Sequence, residues 1–224
     1  MSVLVVFDID GTLTDTVSLH RKAFHEVLVS FGLPGLSSEV KEYKHHTDSH
    51  IFKEIYTSYK DGWTEEISKK FEEELTRNIK EKFQNGISEI SGARIFLEKL
   101  RSEGIPFAYA TGSFYEPAFL KLEYCGLPLD APLATASSFY ERESIVQFAM
   151  AESHKKYSKQ FSKTICFGDG IWDSKTAQNL GLGFVGISDD PTLLSEWKDR
   201  EIRHVFRDYS DELSVLSAIL SFDY

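Results

Sequence analysis

Asp8 and Asp10 stand two apart at the end of an apolar run, Val3 to Phe7, and Gly11 follows them. Side chains alternate along a strand, so both carboxylates are expected on one side at its exit. Two carboxylates held together repel and raise each other's pKa unless a cation neutralises them or one keeps its proton. Such a pair is either a polar turn closing a strand or a pair kept for use, since a fold seldom accepts that cost without one. A second pair, Asp169 and Asp173, lies four apart in Gly168-Asp169-Gly170-Ile171-Trp172-Asp173. Asp173 can serve there as a helix N-cap or as a ligand. Thr111-Gly112-Ser113 offers a hydroxyl and unshielded backbone N–H groups, which suits a phosphate and equally suits an ordinary turn.

The elements that must position these residues are legible in the apolar pattern. Val3 to Phe7, Ile105 to Ala110, Pro132 to Ala136, Thr164 to Phe167 and Gly183 to Ile187 read as strands, with Arg203 to Phe206 at an edge. Such short runs, rich in β-branched residues, are typical of strands buried on both faces of a parallel sheet. Between them lie helices: one with Phe96, Leu97 and Leu100 inward, one carrying Pro117 in its first turn, and one from about Glu141 with Ile145, Phe148 and Ala149 inward. Asp190-Pro191 fits a helix start, and Ser210 is expected to cap the last helix. Strands alternating with helices predict a doubly wound parallel sheet, whose ligands bind at the carboxyl ends of the strands. Each polar cluster named above falls at such an end.

Residues 15–88 hold too much helix for one crossover between parallel strands. Phe24, Val27, Leu28 and Phe31 mark a first helix and Ile51 to Tyr59 a second. Ile67, Phe71, Leu75, Ile79 and Phe83 mark a third, with Thr64 as its N-cap. The expected division is a Rossmann-like core, residues 1–14 and 89–224, carrying a helical cap of residues 15–88.

The formal net charge of −10 argues against a nucleic-acid or membrane-surface footprint, which would be basic. An anionic small-molecule substrate stays open, because a divalent metal and a few placed cations reverse the local potential. Cys125 and Cys166 show no metal spacing and read as small buried residues of a reducing compartment. The chain enters its first strand with no room for a leader, and no apolar run approaches the ~20 residues of a membrane span. A cytoplasmic location is expected. Oligomeric state has no signal in the sequence.

Phe7-Asp8-Ile9-Asp10-Gly11-Thr12-Leu13 resembles the first motif of the haloacid dehalogenase-like superfamily, in its phosphotransferase branch. Thr111-Gly112-Ser113 is similar to the second motif and Gly168 to Asp173 to the fourth. The resemblance implies that Asp8 is the nucleophile and Asp10 the general acid/base, with Thr111 and Gly112 holding phosphoryl oxygens. It also implies Mg²⁺ on Asp8, the Asp10 backbone carbonyl and Asp169, with Asp173 direct or through water. Oxygen-only ligation suits that ion. Where most relatives place a third-motif Lys, this chain has Arg142, which can bind oxygens bidentately, with Lys155 and Lys156 as fallbacks.

The activity implied is a Mg²⁺-dependent phosphatase acting on a small phosphorylated metabolite through an aspartyl-phosphate. A sugar phosphomutase is the nearest alternative, and a non-catalytic phosphate-binding regulatory module is a third. Repulsion from Asp8, Asp169 and Asp173 is expected to favour a protonated Asp10 when substrate arrives. In the cap, the polar stretch with His45, His46, Thr47, Asp48 and His50 reads as a solvated loop or as a specificity surface, with His46 and Asp48 as its candidates.

Overall fold

The computed structural model describes residues 2–36, 43–84 and 86–222. Its strands are β1 (Val3–Phe7), β2 (Phe107–Ala110), β3 (Leu133–Ala134), β4 (Lys163–Gly168), β5 (Gly183–Ile187) and β6 (Val205–Phe206). They form one six-stranded sheet in the order β3-β2-β1-β4-β5-β6, with every neighbouring pair parallel. The chain builds outward from β1 in one direction, then returns to add β4 on its other side. The direction of winding therefore reverses between β1 and β4, and in open α/β sheets such a reversal opens a crevice at the strands' carboxyl ends. Asp8 and Asp169 follow directly on those two strands.

The helices are α1 (Val17–Ser30), α2 (Asp48–Tyr59), α3 (Glu65–Phe83), α4 (Ala93–Ser102), α5 (Tyr115–Tyr124), α6 (Arg142–Tyr157), α7 (Ile171–Asn179), α8 (Pro191–Asp199) and α9 (Glu212–Leu220). Side-chain alternation along β1 divides the core. Val5 and Phe7 meet Phe96, Leu97, Leu122 and Ile219 on one face, so α4, α5 and α9 lie there. Leu4 and Val6 meet Ile145, Ala177 and Trp197 on the other, which carries α6, α7 and α8. Both faces of the sheet are thus covered, as the continuous apolar strands require.

Helices α1, α2 and α3 pack around a separate apolar cluster containing Phe24, Leu28, Phe52, Phe71 and Leu75, with Phe52 and Phe71 stacked at 3.8 Å. Phe114, from the N-cap of α5, completes this cluster. The Thr64 hydroxyl accepts from the Ile67 N–H at 3.3 Å and so caps α3. Two adjacent crossings join these three helices to the sheet: Asp15 N donates to Ser88 O at 2.9 Å, and Ile90 N to Leu13 O at 2.9 Å.

Three local expectations are corrected. Phe148 is 40 % exposed, because it sits one step round from the buried Ile145 and Ala149; its ring leans on Phe139 at 5.2 Å. Asp211 rather than Ser210 caps α9, its carboxylate accepting from Ser214 N at 3.2 Å, while Ser210 N donates to Asp208. Helix α2 starts earlier than its apolar stripe suggested, so Asp48 and His50 lie in its first turn. Among the described residues no helix is long and apolar enough to cross a membrane.

Candidate active site

Asp8 and Asp10 face one cavity of about 170 Å³ between the sheet edge and the cap. They do not share a proton or a partner, because each has its own cation. Arg142 Nη2 donates to Asp8 Oδ1 at 3.1 Å and also to Asp173 Oδ1, while Nη1 donates to the His46 backbone carbonyl at 3.1 Å. Arg142 begins α6 and reaches the end of β1 from there. Burial lifts the Asp8 carboxyl to about 7, against the opposing pull of the Arg142 guanidinium.

Asp10 is bonded on both oxygens. Thr16 Oγ1 donates to Oδ1 at 2.6 Å; Ser113 Oγ at 2.8 Å and Lys121 Nζ at 2.5 Å donate to Oδ2. Burial pushes this carboxyl up, but the Lys121 charge, then His20 and the hydrogen bonds from Lys121 and Thr16, outweigh it and hold Asp10 well below the usual carboxylate range. Asp10 is therefore ionised, which corrects the expectation of a protonated acid. Repulsion from the other carboxylates was the force legible in the sequence, and the lysine that overrides it arrives from a helix more than a hundred residues on.

Lys121 leads further into the cap. Its Nζ also lies 3.0 Å from His20 Nδ1, and His20 Nε2 lies 2.9 Å from Asp48 Oδ1. Lysine has donors only, so Nδ1 accepts and the ring proton sits on Nε2, facing Asp48. Asp48 Oδ2 accepts from Phe114 N at 3.0 Å. Both Asp48 oxygens are thus engaged within the protein, although its side chain borders the cavity. His46 also borders the cavity and stacks on Trp172 with ring centroids 4.6 Å apart. Burial, with Arg142 nearby, lowers the His46 imidazole to about 4, so it is neutral.

Asp8, Asp169 and Asp173 bring carboxylate oxygens within 4.8 Å of one another. Burial raises all three pKa values, and their mutual charge adds to the effect on Asp8 and Asp169. Three hard oxygen donors that jointly resist ionisation fit a divalent cation of the Mg²⁺ kind. Two glycines permit the approach. Gly11 has φ +76, and a Cβ there would collide with the Asp169 carboxylate; one on Gly168 would run into Asp173. Asp173 Oδ2 also accepts from Gly170 N at 3.0 Å, so it steadies the start of α7 as well.

Thr111, 2 % exposed, and Gly112 line the same cavity. Gly112 is where the cap rests: its carbonyl accepts from Asp48 N at 2.7 Å, and Thr47 Oγ1 donates to Tyr140 O at 2.7 Å alongside. Lys155 and Lys156 lie at the far end of α6, paired with Glu152 and Asp130, and do not reach the site. The contributors that motif reading missed are Thr16, His20, Ser113 and Lys121. Lys121 did carry a signal, for it falls between Ala118 and Leu122 on the buried stripe of α5, an unusual place for a lysine.

Sheet, carboxylate cluster and overlying helices define an α/β protein with an acidic site at the carboxyl end of its parallel sheet. The chain belongs to the family described as haloacid dehalogenase-like hydrolase, whose profile matches residues 5–187. It is 24 % identical over 186 residues to a phosphoglycolate phosphatase of Rhodobacter capsulatus, covering 83 % of this chain and 84 % of that protein. Among solved structures, a hydrolase from Pseudomonas syringae superposes with a TM-score of 0.73 at 24 % identity, covering 96 % of this chain and 98 % of the other. CbbY from Rhodobacter sphaeroides, solved in complex with phosphate, superposes at 0.71 with 16 % identity, covering 94 % and 96 %. At these identities the two structures bear on the fold alone.

Proposed function

We propose that this protein is a Mg²⁺-dependent phosphoric monoester hydrolase that works on a small phosphorylated metabolite through an aspartyl-phosphate on Asp8. The observation that carries this reading is the arrangement of the two acids: Asp8 beside Arg142 and Asp10 beside Lys121, both on one cavity at the end of the central strand. The curated phosphatase relative supports the same reaction class. Asp8, the Asp10 carbonyl, Asp169 and Asp173 would hold the metal, which supplies positive charge beside the transferring phosphoryl oxygens.

In the first step an Asp8 oxygen attacks phosphorus and the ester P–O bond breaks. Its electron pair leaves on the alcohol oxygen, which takes a proton from Asp10. Asp10 rests as a carboxylate, and the Lys121 ammonium 2.5 Å away is the proton source within reach. In the second step Asp10 takes a proton from water as that water attacks phosphorus, and passes it back to the Lys121 amine, restoring the resting carboxylate and ammonium. The bond to Asp8 then breaks, releasing phosphate and restoring the carboxylate. Arg142, with the Thr111 hydroxyl and the Gly112 backbone, offsets charge on the equatorial oxygens. Residues 15–88 act as the cap over this site, and residues 1–14 and 89–224 as the catalytic core. The cytoplasm is the compartment we assign, supported by free thiols at Cys125 and Cys166.

The test is a screen of phosphorylated metabolites with and without Mg²⁺, run on wild type and on Asp8→Asn. An amide is neither a phosphoryl acceptor nor a good metal ligand, so the variant should be inactive while folded. A folded Asp8→Asn protein with wild-type turnover would overturn the mechanism. Glucose 1-phosphate with a bisphosphate activator belongs in the screen, since isomerised rather than hydrolysed product would identify a phosphomutase.

A further inference from the structure

The cap side of the cavity carries one cation that nothing in the described structure engages. Val17, His20, Arg21 and Phe24 stand at i, i+3, i+4 and i+7 on α1, and all four border the cavity. Arg21 is therefore on the helix face turned to the cavity rather than on the solvated face. The other guanidinium at the cavity has partners, since Arg142 holds Asp8 and Asp173, and the His20 ring is engaged between Lys121 and Asp48. Arg21 is half-buried, and among the described residues it has no hydrogen-bond or ion-pair partner. A guanidinium withdrawn from water without a counter-charge costs stability unless a ligand supplies one, and its planar fork is shaped for carboxylate or phosphate.

A second group points the same way. His46 Nδ1 is buried and unpartnered, on a neutral ring stacked against Trp172 at the cavity wall. It offers a single uncharged hydrogen-bonding position. The rest of the cap wall is Val17, Phe24, Leu36, Tyr43 and Ile51, together with His20, Thr47 and Asp48, whose side chains are already bonded within the protein. A polyhydroxylated leaving group would leave several hydroxyls unbonded against that wall.

We infer that the substrate is a short phosphate monoester whose leaving group bears a second anionic group, a carboxylate or a second phosphate, received by Arg21. This rests on the phosphatase reading and adds the substrate class to it. Specificity then comes from the cap helix α1, with His46 contributing one hydrogen bond to an oxygen between the two anions.

The experiment compares esters of equal chain length. Wild-type kcat/KM is measured for 3-phosphoglycerate, for a three-carbon bisphosphate and for glycerol 3-phosphate, which lacks the second anion, with p-nitrophenyl phosphate as an aryl control. The carboxylated or bisphosphorylated ester should be preferred over glycerol 3-phosphate by at least tenfold, and which of the two leads identifies the anion. Arg21→Gln should collapse that ratio at least tenfold, mainly through KM, and Arg21→Lys should recover part of it. Calorimetry on Asp8→Asn, which binds without turnover, should show the same ranking and the same loss when Arg21→Gln is added. Hydrolysis of p-nitrophenyl phosphate with no preference among the three-carbon esters, or a preference untouched by Arg21→Gln, overturns the inference and leaves the phosphatase reading standing. No hydrolysis of any ester removes both.

Discussion

Lys121 Nζ donates to Asp10 Oδ2 from a side chain with no exposed surface, and the same nitrogen reaches Ser113 and His20. Asp10, the general acid/base we propose, is thereby fixed in position and in charge by a residue outside every motif. A buried ion pair adds little net stability, yet removing one partner strands the other.

Lys121→Gln should therefore cost ~3–5 kcal/mol at pH 7, the usual loss when one side of a buried pair is deleted. The sign of its pH dependence follows from Asp10. In wild type the folded carboxyl lies below its unfolded value, which stabilises the protein above about pH 4. Without the lysine the largest opposing pull is gone, and burial, set against only His20 and the Thr16 bond, is expected to lift the folded value above the unfolded one. The variant should then weaken as pH rises above about 4, so its deficit is smaller at pH 5 than at pH 7. Urea titrations at both pH values read this directly, and equal deficits would argue against an ionised Asp10.

Arg142→Ala should lower kcat by ~10²–10³, the range seen when one preorganised donor to a developing oxyanion is removed. Arg142→Lys should restore only part of the loss, because the charge survives but the fork that sets Nη2 on Asp8 and Asp173 and Nη1 on the His46 carbonyl does not. Steady-state kinetics with matched circular dichroism spectra test this; wild-type rates in Arg142→Ala would place the third-motif cation elsewhere.

Mg²⁺ should stabilise the protein more as pH rises. Asp8 is lifted to about 7 when no metal is present, and Asp169 and Asp173 are raised with it. Folded values above unfolded ones mean that the native state holds more protons between about pH 4 and 7. The metal-free protein thus loses stability across that window, and a cation in place of those protons restores it. Melting curves in EDTA and in Mg²⁺ at pH 5, 6 and 7.5 should diverge progressively, whereas a constant gap would count against protonated ligands.

Gly112→Ala should act on the cap without touching an acid. A Cβ there would lie 2.5 Å from the His46 carbonyl and 2.6 Å from Arg142 Nη1. The loop ahead of α2 must then lift away, taking Asp48 from its 2.7 Å bond to the Gly112 carbonyl. We expect kcat/KM to fall at least ~10-fold, as small misplacements at a reacting centre do, with little change in melting temperature. Unaltered kinetics would show that the loop tolerates displacement.

The sheet and the acids were readable in sequence because each lies in a contiguous segment. An apolar strand runs straight into its polar end, and Asp8, Asp10, Thr111, Asp169 and Asp173 all occupy such ends. Arg142 was legible because it begins a helix that follows a strand. The Asp10 support was not, since Thr16 and His20 come from the start of α1 and Lys121 from α5, and nothing in Thr111-Gly112-Ser113 marks Ser113 as a partner of Asp10. His20 and Lys121 do replace apolar residues within buried helical stripes, and that substitution is the one trace a sequence holds of a buried polar chain. Asp48 illustrates a further limit: its side chain borders the cavity, and its bonds to His20 and the Phe114 N–H are tertiary contacts that its residue type does not announce.

Phe114 belongs to the apolar cluster of the three inserted helices although it is carried by the segment that follows β2. The inserted helices consequently lack a complete interior of their own. Excised as a peptide, they would expose the face that Phe114 fills, and their melting should be coupled to that of the sheet. Calorimetry of the intact chain is expected to give one heat-absorption peak, with calorimetric and van't Hoff enthalpies in agreement. Phe114→Ala, at a cost of ~3–5 kcal/mol, should loosen that coupling and reveal a separate earlier transition of the inserted helices.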